Sequence, residues 1–131
     1  MTIFEKTNTF TPEEMEFAQG LFESIGQVEI LKTEVMAAAG SLSGCGPAFV
    51  YMAIEALADG AVLAGVPRDT AYRLAAQTVL GSGKMVLETG LHPGALKDNV
   101  CSPGGITIRG VRALEDKGFR SALISAVLET V

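Results

Sequence analysis

At 131 residues with 48% hydrophobic content, the chain is the size of one domain and can bury roughly two thirds of the surface its unfolded form exposes, so no cofactor or disulfide staple is needed for folding. Fifteen acidic residues against ten basic ones give a net charge of -5, a field that repels phosphate backbones and argues against a nucleic-acid partner. Met1 to Thr11 shows no apolar run behind a basic start, and no stretch reaches the roughly 18 uninterrupted apolar residues of a membrane span. A cytoplasmic protein without a membrane partner is expected.

Thr11-Pro12-Glu13-Glu14 places a hydroxyl at an N-cap, proline at the first helical position and glutamate three residues after the cap. Met15, Ala18, Leu21, Phe22 and Ile25 then recur at helical spacing, which predicts an amphipathic helix ending near Gly26. An apolar run, Val28 to Leu31, precedes a second short helix at about Thr33 to Ala39. The Gly/Ser-rich stretch Ser41 to Gly46 reads as a turn into Pro47, a good first residue for the next helix.

From Pro47 to Ala64 the only formal charges are Glu55 and Asp59, so this helix must be covered on several sides. Ala53, Ala56, Gly60 and Ala64 line one face with small residues, which lets another helix backbone come close. Gly60 costs about 1 kcal/mol of helix propensity relative to alanine, a loss that some contact should offset. After Gly65-Val66-Pro67 another long helix runs from about Asp69 to Glu88, apolar at Leu74, Val79, Leu80, Met85 and Leu87. Two such helices carry more apolar surface than one small domain covers, so a subunit interface is expected from them.

His92-Pro93-Gly94 opens a short helix to about Val100, Cys101 to Gly105 form a turn, and helical segments at roughly Ile106 to Asp116 and Phe119 to Val131 complete the chain. Apart from short segments near residues 2 to 4 and 28 to 31 there is no strand pattern, and the fold class is all-α. Cys45 and Cys101 are too few for a disulfide framework and lack metal-ligand spacing; they read as small, partly buried apolar residues, and no metal site is expected. The single histidine, His92, reads as a loop residue rather than a general base.

Ser102-Pro103-Gly104-Gly105-Ile106-Thr107 is the one stretch with chemical character. It lies at a helix start, where unpaired N–H groups and the positive end of the macrodipole favour an anion. The paired glycines let a ligand touch the backbone, and Ser102 and Thr107 add hydroxyls. The same residues also make an ordinary turn and helix cap, and on the residues alone the turn is the preferred reading. No Gly-x-Gly-x-x-Gly unit, Walker pattern or hydrolase motif occurs, so a redox role would need its nucleotide held elsewhere.

Leu42-Ser43-Gly44-Cys45-Gly46-Pro47-Ala48-Phe49, then Glu55-Ala56-Leu57-Ala58-Asp59-Gly60, and above all the stretch from His92 to Thr107 with Lys97-Asp98-Asn99-Val100-Cys101 ahead of the Ser-Pro-Gly-Gly turn, resemble the carboxy-terminal domain of the pyrroline-5-carboxylate reductases. The likeness runs over nearly the whole chain in one order. It implies an all-α helical bundle, like the C-terminal domain of 6-phosphogluconate dehydrogenase, that interlocks with a second copy as a homodimer; assembly into larger rings stays open. It further implies a parent enzyme that reduces 1-pyrroline-5-carboxylate to L-proline, and raises the site reading of the loop above the turn reading. Ser102, Gly104 and Gly105 would hold the substrate carboxylate through backbone amides and a hydroxyl, and Thr107 would be the catalytic residue, its hydroxyl directed at the ring nitrogen. Asn99 and Val100 match positions near the nicotinamide end of NADPH or NADH.

Cys45 stands where many members have serine, a departure without chemical consequence. Met1 to Phe4 resemble the closing strand of a Rossmann half that is otherwise absent from residues 1–131, so the chain is expected to be an excised single domain that binds no cofactor by itself. Two other readings stay open: a helical dimerisation module with no activity, and a domain of a related imine or ketoacid reductase.

Overall fold

The structure, a computed structural model, describes residues 1–6 and 9–131, so residues 7–8 of the Met1 to Thr11 segment lie outside the described residues. Two units are distinguished, one of Met1–Ala48 with Ile124–Val131 and one of Phe49–Leu123.

In the first unit, strand β1 (Thr2–Glu5) pairs in parallel with β2 (Val28–Leu31), in the register Thr2 to Val28 and Glu5 to Leu31. A parallel pair needs a crossover, and helix α1 (Pro12–Glu23) supplies it. Its start is fixed as the sequence predicts: the Glu14 N–H donates to the Thr11 hydroxyl at 3.2 Å, and the Thr11 N–H donates to the Glu14 carboxylate at 2.8 Å. The inner face carries Phe22, whose ring meets that of Phe4 edge-on at 5.5 Å. Phe17 and Leu21, on the other side, remain exposed.

The largest departure from expectation follows. Helix α2 runs unbroken from Thr33 to Leu63, with Pro47 inside it, where the sequence predicts a short helix, a turn at Ser41 to Gly46 and a new start at Pro47. Two of the small residues in and beside this stretch, Gly40 and Ser41, serve tertiary contacts instead. None of Gly40, Gly44 or Gly46 has a positive φ. Gly40 lets the Ile3 side chain come within 3.9 Å of where a Cβ would sit. Ser41 is buried, and its hydroxyl donates to the Val127 carbonyl at 3.4 Å and also meets the Thr130 hydroxyl. Pro47 removes one backbone donor, the one that would reach the Ser43 carbonyl, without ending the helix. As one helix of 31 residues, α2 is long and apolar enough to cross a membrane.

In the second unit, α2 ends in a Schellman motif: Gly65, at φ +98°, donates to the Val62 carbonyl at 2.9 Å, and the Val66 N–H reaches back to Ala61 at 3.0 Å. This turn brings helix α3 (Arg68–Thr89) back against α2. Their contact is made of alanines, Ala58, Ala71 and Ala75, with 0%, 1% and 7% of their surface exposed, flanked by Ile54, Ala61, Val62 and Val66. An Arg68–Asp59 ion pair closes the same end, and the Arg68 guanidinium lies 5.5 Å over the Tyr72 ring. No large side chain is fully buried among the described residues, while Leu63 is 92% exposed and Leu74, Leu80 and Leu87 are also open. Helices α4 (Pro93–Val100), α5 (Ile106–Asp116) and α6 (Phe119–Leu128) follow, the last stopping short of the expected Val131.

Candidate functional site

Every sequence-predicted site residue lies on α4, the turn after it, or the first turn of α5. Helix α4 begins where the His-Pro-Gly signal puts it, but His92 is more than a loop residue. Its Nδ1 accepts the Gly94 N–H at 3.0 Å, so the unprotonated nitrogen caps the helix. A Cβ on Gly94 would lie 2.9 Å from that nitrogen, which is why glycine follows the proline. Proline at the first helical position was the signal that could have identified His92 as the cap.

At the far end of α4, Lys97 pairs with Asp98, and the hydrogen bond between them holds the ammonium above its ordinary 10.5, so Lys97 stays charged. A groove of about 430 Å³ lies between α3 and α4. Met85 and Val86 form one wall, and Leu96, Asn99 and Val100 another. Of the predicted site residues, Asn99 and Val100 line this groove, whereas Ser102, Gly104, Gly105 and Thr107 do not.

Those four belong to the turn. The Gly105 N–H donates to the Ser102 carbonyl at 3.0 Å, with Pro103 second and Gly104 third at φ +68°, which makes a type II turn. The two glycines are needed for different reasons. At Gly104 an L side chain would strain the left-handed backbone by roughly 1–2 kcal/mol. At Gly105 the backbone is ordinary, but a Cβ would lie 3.0 Å from the Ser102 carbonyl and closer still to its hydroxyl.

Gly105 is the N-cap of α5 and offers no side chain to the helix, and the first turn holds no acid. The N–H groups of Ile106, Thr107 and Ile108 therefore lack intrahelical partners. Neither the Ser102 nor the Thr107 hydroxyl is engaged by another described residue. Three backbone donors and two hydroxyls at the positive end of a helix can take a carboxylate and leave one hydroxyl for a neighbouring polar atom. Sequence reasoning missed Arg109, whose Nε donates to the Gly105 carbonyl at 3.4 Å; its position four residues after the cap was the available signal.

The family described as pyrroline-5-carboxylate reductase dimerisation matches residues 33–131. The chain is similar to the pyrroline-5-carboxylate reductase of Escherichia coli (strain K12), 52% identical over 127 residues, which are 97% of this chain and 47% of that protein. Among solved structures it resembles a Coxiella burnetii pyrroline-5-carboxylate reductase at TM-score 0.90 and 31% identity, over 96% of this chain and 47% of that one. It also resembles a Plasmodium falciparum pyrroline carboxylate reductase solved with NADP bound, at TM-score 0.84 and 35% identity, over 95% and 47%. The chain thus spans about half the length of the relatives it matches.

Proposed function

Because the chain belongs to the pyrroline-5-carboxylate reductase dimerisation family, we propose that it is the substrate-recognising and subunit-joining domain of an enzyme that reduces 1-pyrroline-5-carboxylate to L-proline with NADPH or NADH. The observation that carries this reading is the uncapped start of α5 behind a Ser-Pro-Gly-Gly type II turn.

The substrate is a five-membered cyclic imine bearing a carboxylate. Its carboxylate would sit on the N–H groups of the first turn of α5, with Ser102 adding a hydroxyl bond and the glycines leaving the backbone bare. Thr107 would then face the ring nitrogen. By accepting N–H from the protonated imine, or by donating to the lone pair of the neutral one, its hydroxyl would orient the ring for hydride attack at the electrophilic carbon.

The residues present fit a nicotinamide near Asn99 and Val100, since the groove they line offers mostly apolar surface, with the Asn99 amide and Lys97 among its polar lining. A bound nicotinamide supplies hydride. With no Gly-x-Gly-x-x-Gly unit in residues 1–131, the pyrophosphate would be held by a separate dinucleotide-binding domain.

Homodimerisation is supported by the open apolar faces of α2 and α3 and by helical glycines such as Gly60 in the last turn of α2, whose absent Cβ leaves space with nothing within 4 Å. A cytoplasmic protein without lipid contact fits α2, because Glu55 and Asp59 lie inside it and Asp59 is paired with Arg68. Reduction of 1-pyrroline-5-carboxylate by NADPH, followed with this chain alone and with a separately supplied dinucleotide-binding domain, is the test. Turnover is expected only with both; turnover by neither arrangement, with a folded dimer, would favour an assembly module without activity.

A further inference from the structure

Arg109 is placed where its charge costs stability. A cation near the N-terminus of a helix opposes the macrodipole, and α5 has no acid in its first turn to offset it. Three of the other arginines have found ion pairs, Arg68 with Asp59, Arg112 with Asp116 and Arg120 with Glu115, while Arg73, away from any candidate site residue, bonds the neutral Thr70 hydroxyl. Arg109 makes no ion pair among the described residues, and its Nε is held at 3.4 Å by the neutral Gly105 carbonyl. Helical side chains lean toward the N-terminus, so the stem of Arg109 lies back over the first turn, on the end that carries the free N–H groups.

We propose that Arg109 is a specificity-determining residue for the substrate's negative charge, an outer cation that draws a carboxylate to the turn and disfavours uncharged rings of the same shape. This rests on the reading of Ser102 to Thr107 as a carboxylate site and adds to it. The turn supplies short hydrogen bonds, whereas Arg109 supplies a longer-range attraction that an exposed guanidinium exerts through water. The missing counter-ion of Arg109 is then the ligand itself.

The probes are L-proline, which carries the carboxylate, and L-prolinamide, which does not, titrated into this chain while the amide resonances of Gly105, Ile106 and Thr107 are followed. Arg109→Gln is expected to weaken proline binding about three- to five-fold at low salt, in keeping with one charge acting over several ångströms of solvent. The difference should fall below about two-fold near 0.5 M salt, where screening sets in within roughly 4 Å. Arg109→Lys should restore binding to within about two-fold, since charge rather than fork geometry is at work, and prolinamide, a cation at neutral pH, should bind Arg109→Gln no worse than the parent. Unchanged proline affinity in Arg109→Gln, or a loss that lysine does not restore, overturns the assignment of Arg109 and leaves the turn's role standing. Proline that fails to move the turn amides of the parent chain removes the carboxylate site itself and this inference with it.

Discussion

Gly60 separates the two ways in which the apolar face of α2 could be satisfied. It sits in the last turn of α2, exposed, with nothing within 4 Å of an ideal Cβ, so within one chain a larger residue meets no obstacle. Leucine is a far better helix former than glycine, and Gly60→Leu should therefore favour the folded helix by somewhat under 1 kcal/mol. In a two-fold dimer seamed along Ala53, Ala56, Gly60 and Ala64 the outcome reverses. Overpacking costs about 1–3 kcal/mol per site, and symmetry places the extra side chain in both subunits. The dimer should lose roughly 2–6 kcal/mol relative to folded monomers, at least a 30-fold rise in Kd. Sedimentation equilibrium across a concentration series gives that constant, and circular dichroism shows that the helix persists. A Gly60→Leu protein that melts higher than the parent and associates as tightly would refute the reasoning and put the seam on another face.

Thr107→Val, in a protein completed with a dinucleotide-binding domain, should lower kcat/KM roughly 10- to 150-fold, the worth of a hydrogen bond to a charged group; a folded dimer within about twofold of the parent would reduce Thr107 to an ordinary helix residue. Ser102→Ala should mainly raise KM, because a carboxylate contact is made alike in ground and transition states. Gly104→Ala should destabilise the chain by roughly 1–2 kcal/mol through its positive φ alone, read as a lower denaturant midpoint. His92→Ala should cost about 1 kcal/mol by uncapping α4, with His92→Asn restoring most of it; equal losses from alanine and asparagine would mean that Nδ1 does not act as the cap.

The elements most legible in the sequence were those punctuated by side chains with a local job. Thr11 and Glu14 announce α1, His92 and Pro93 announce α4, and Gly105 ends the turn before α5 at the expected residue. The middle of α2 is illegible in the sequence because Gly40, Ser41, Gly44 and Gly46 carry the signature of a loop, while the contacts of Gly40 and Ser41 are non-local. Gly40 makes room for Ile3 from β1, and Ser41 is fixed by Val127 and Thr130 from the far end of the chain. Tertiary contacts of that span leave no periodicity to read. At the candidate site the residue types are visible in the sequence, but the division of labour is not: the separate reasons for Gly104 and Gly105, and the lack of a counter-ion for Arg109 among the described residues, need coordinates.

The three-alanine contact between α2 and α3 has a kinetic consequence. Alanine buries so little apolar surface that this contact offsets only a small part of the conformational entropy lost in ordering two long helices. If association supplies the remainder, as proposed, collapse and assembly are one event, and the slow step of refolding is an encounter between two chains. Its half-time should shorten in proportion to concentration, where a self-sufficient domain would refold at a rate indifferent to dilution.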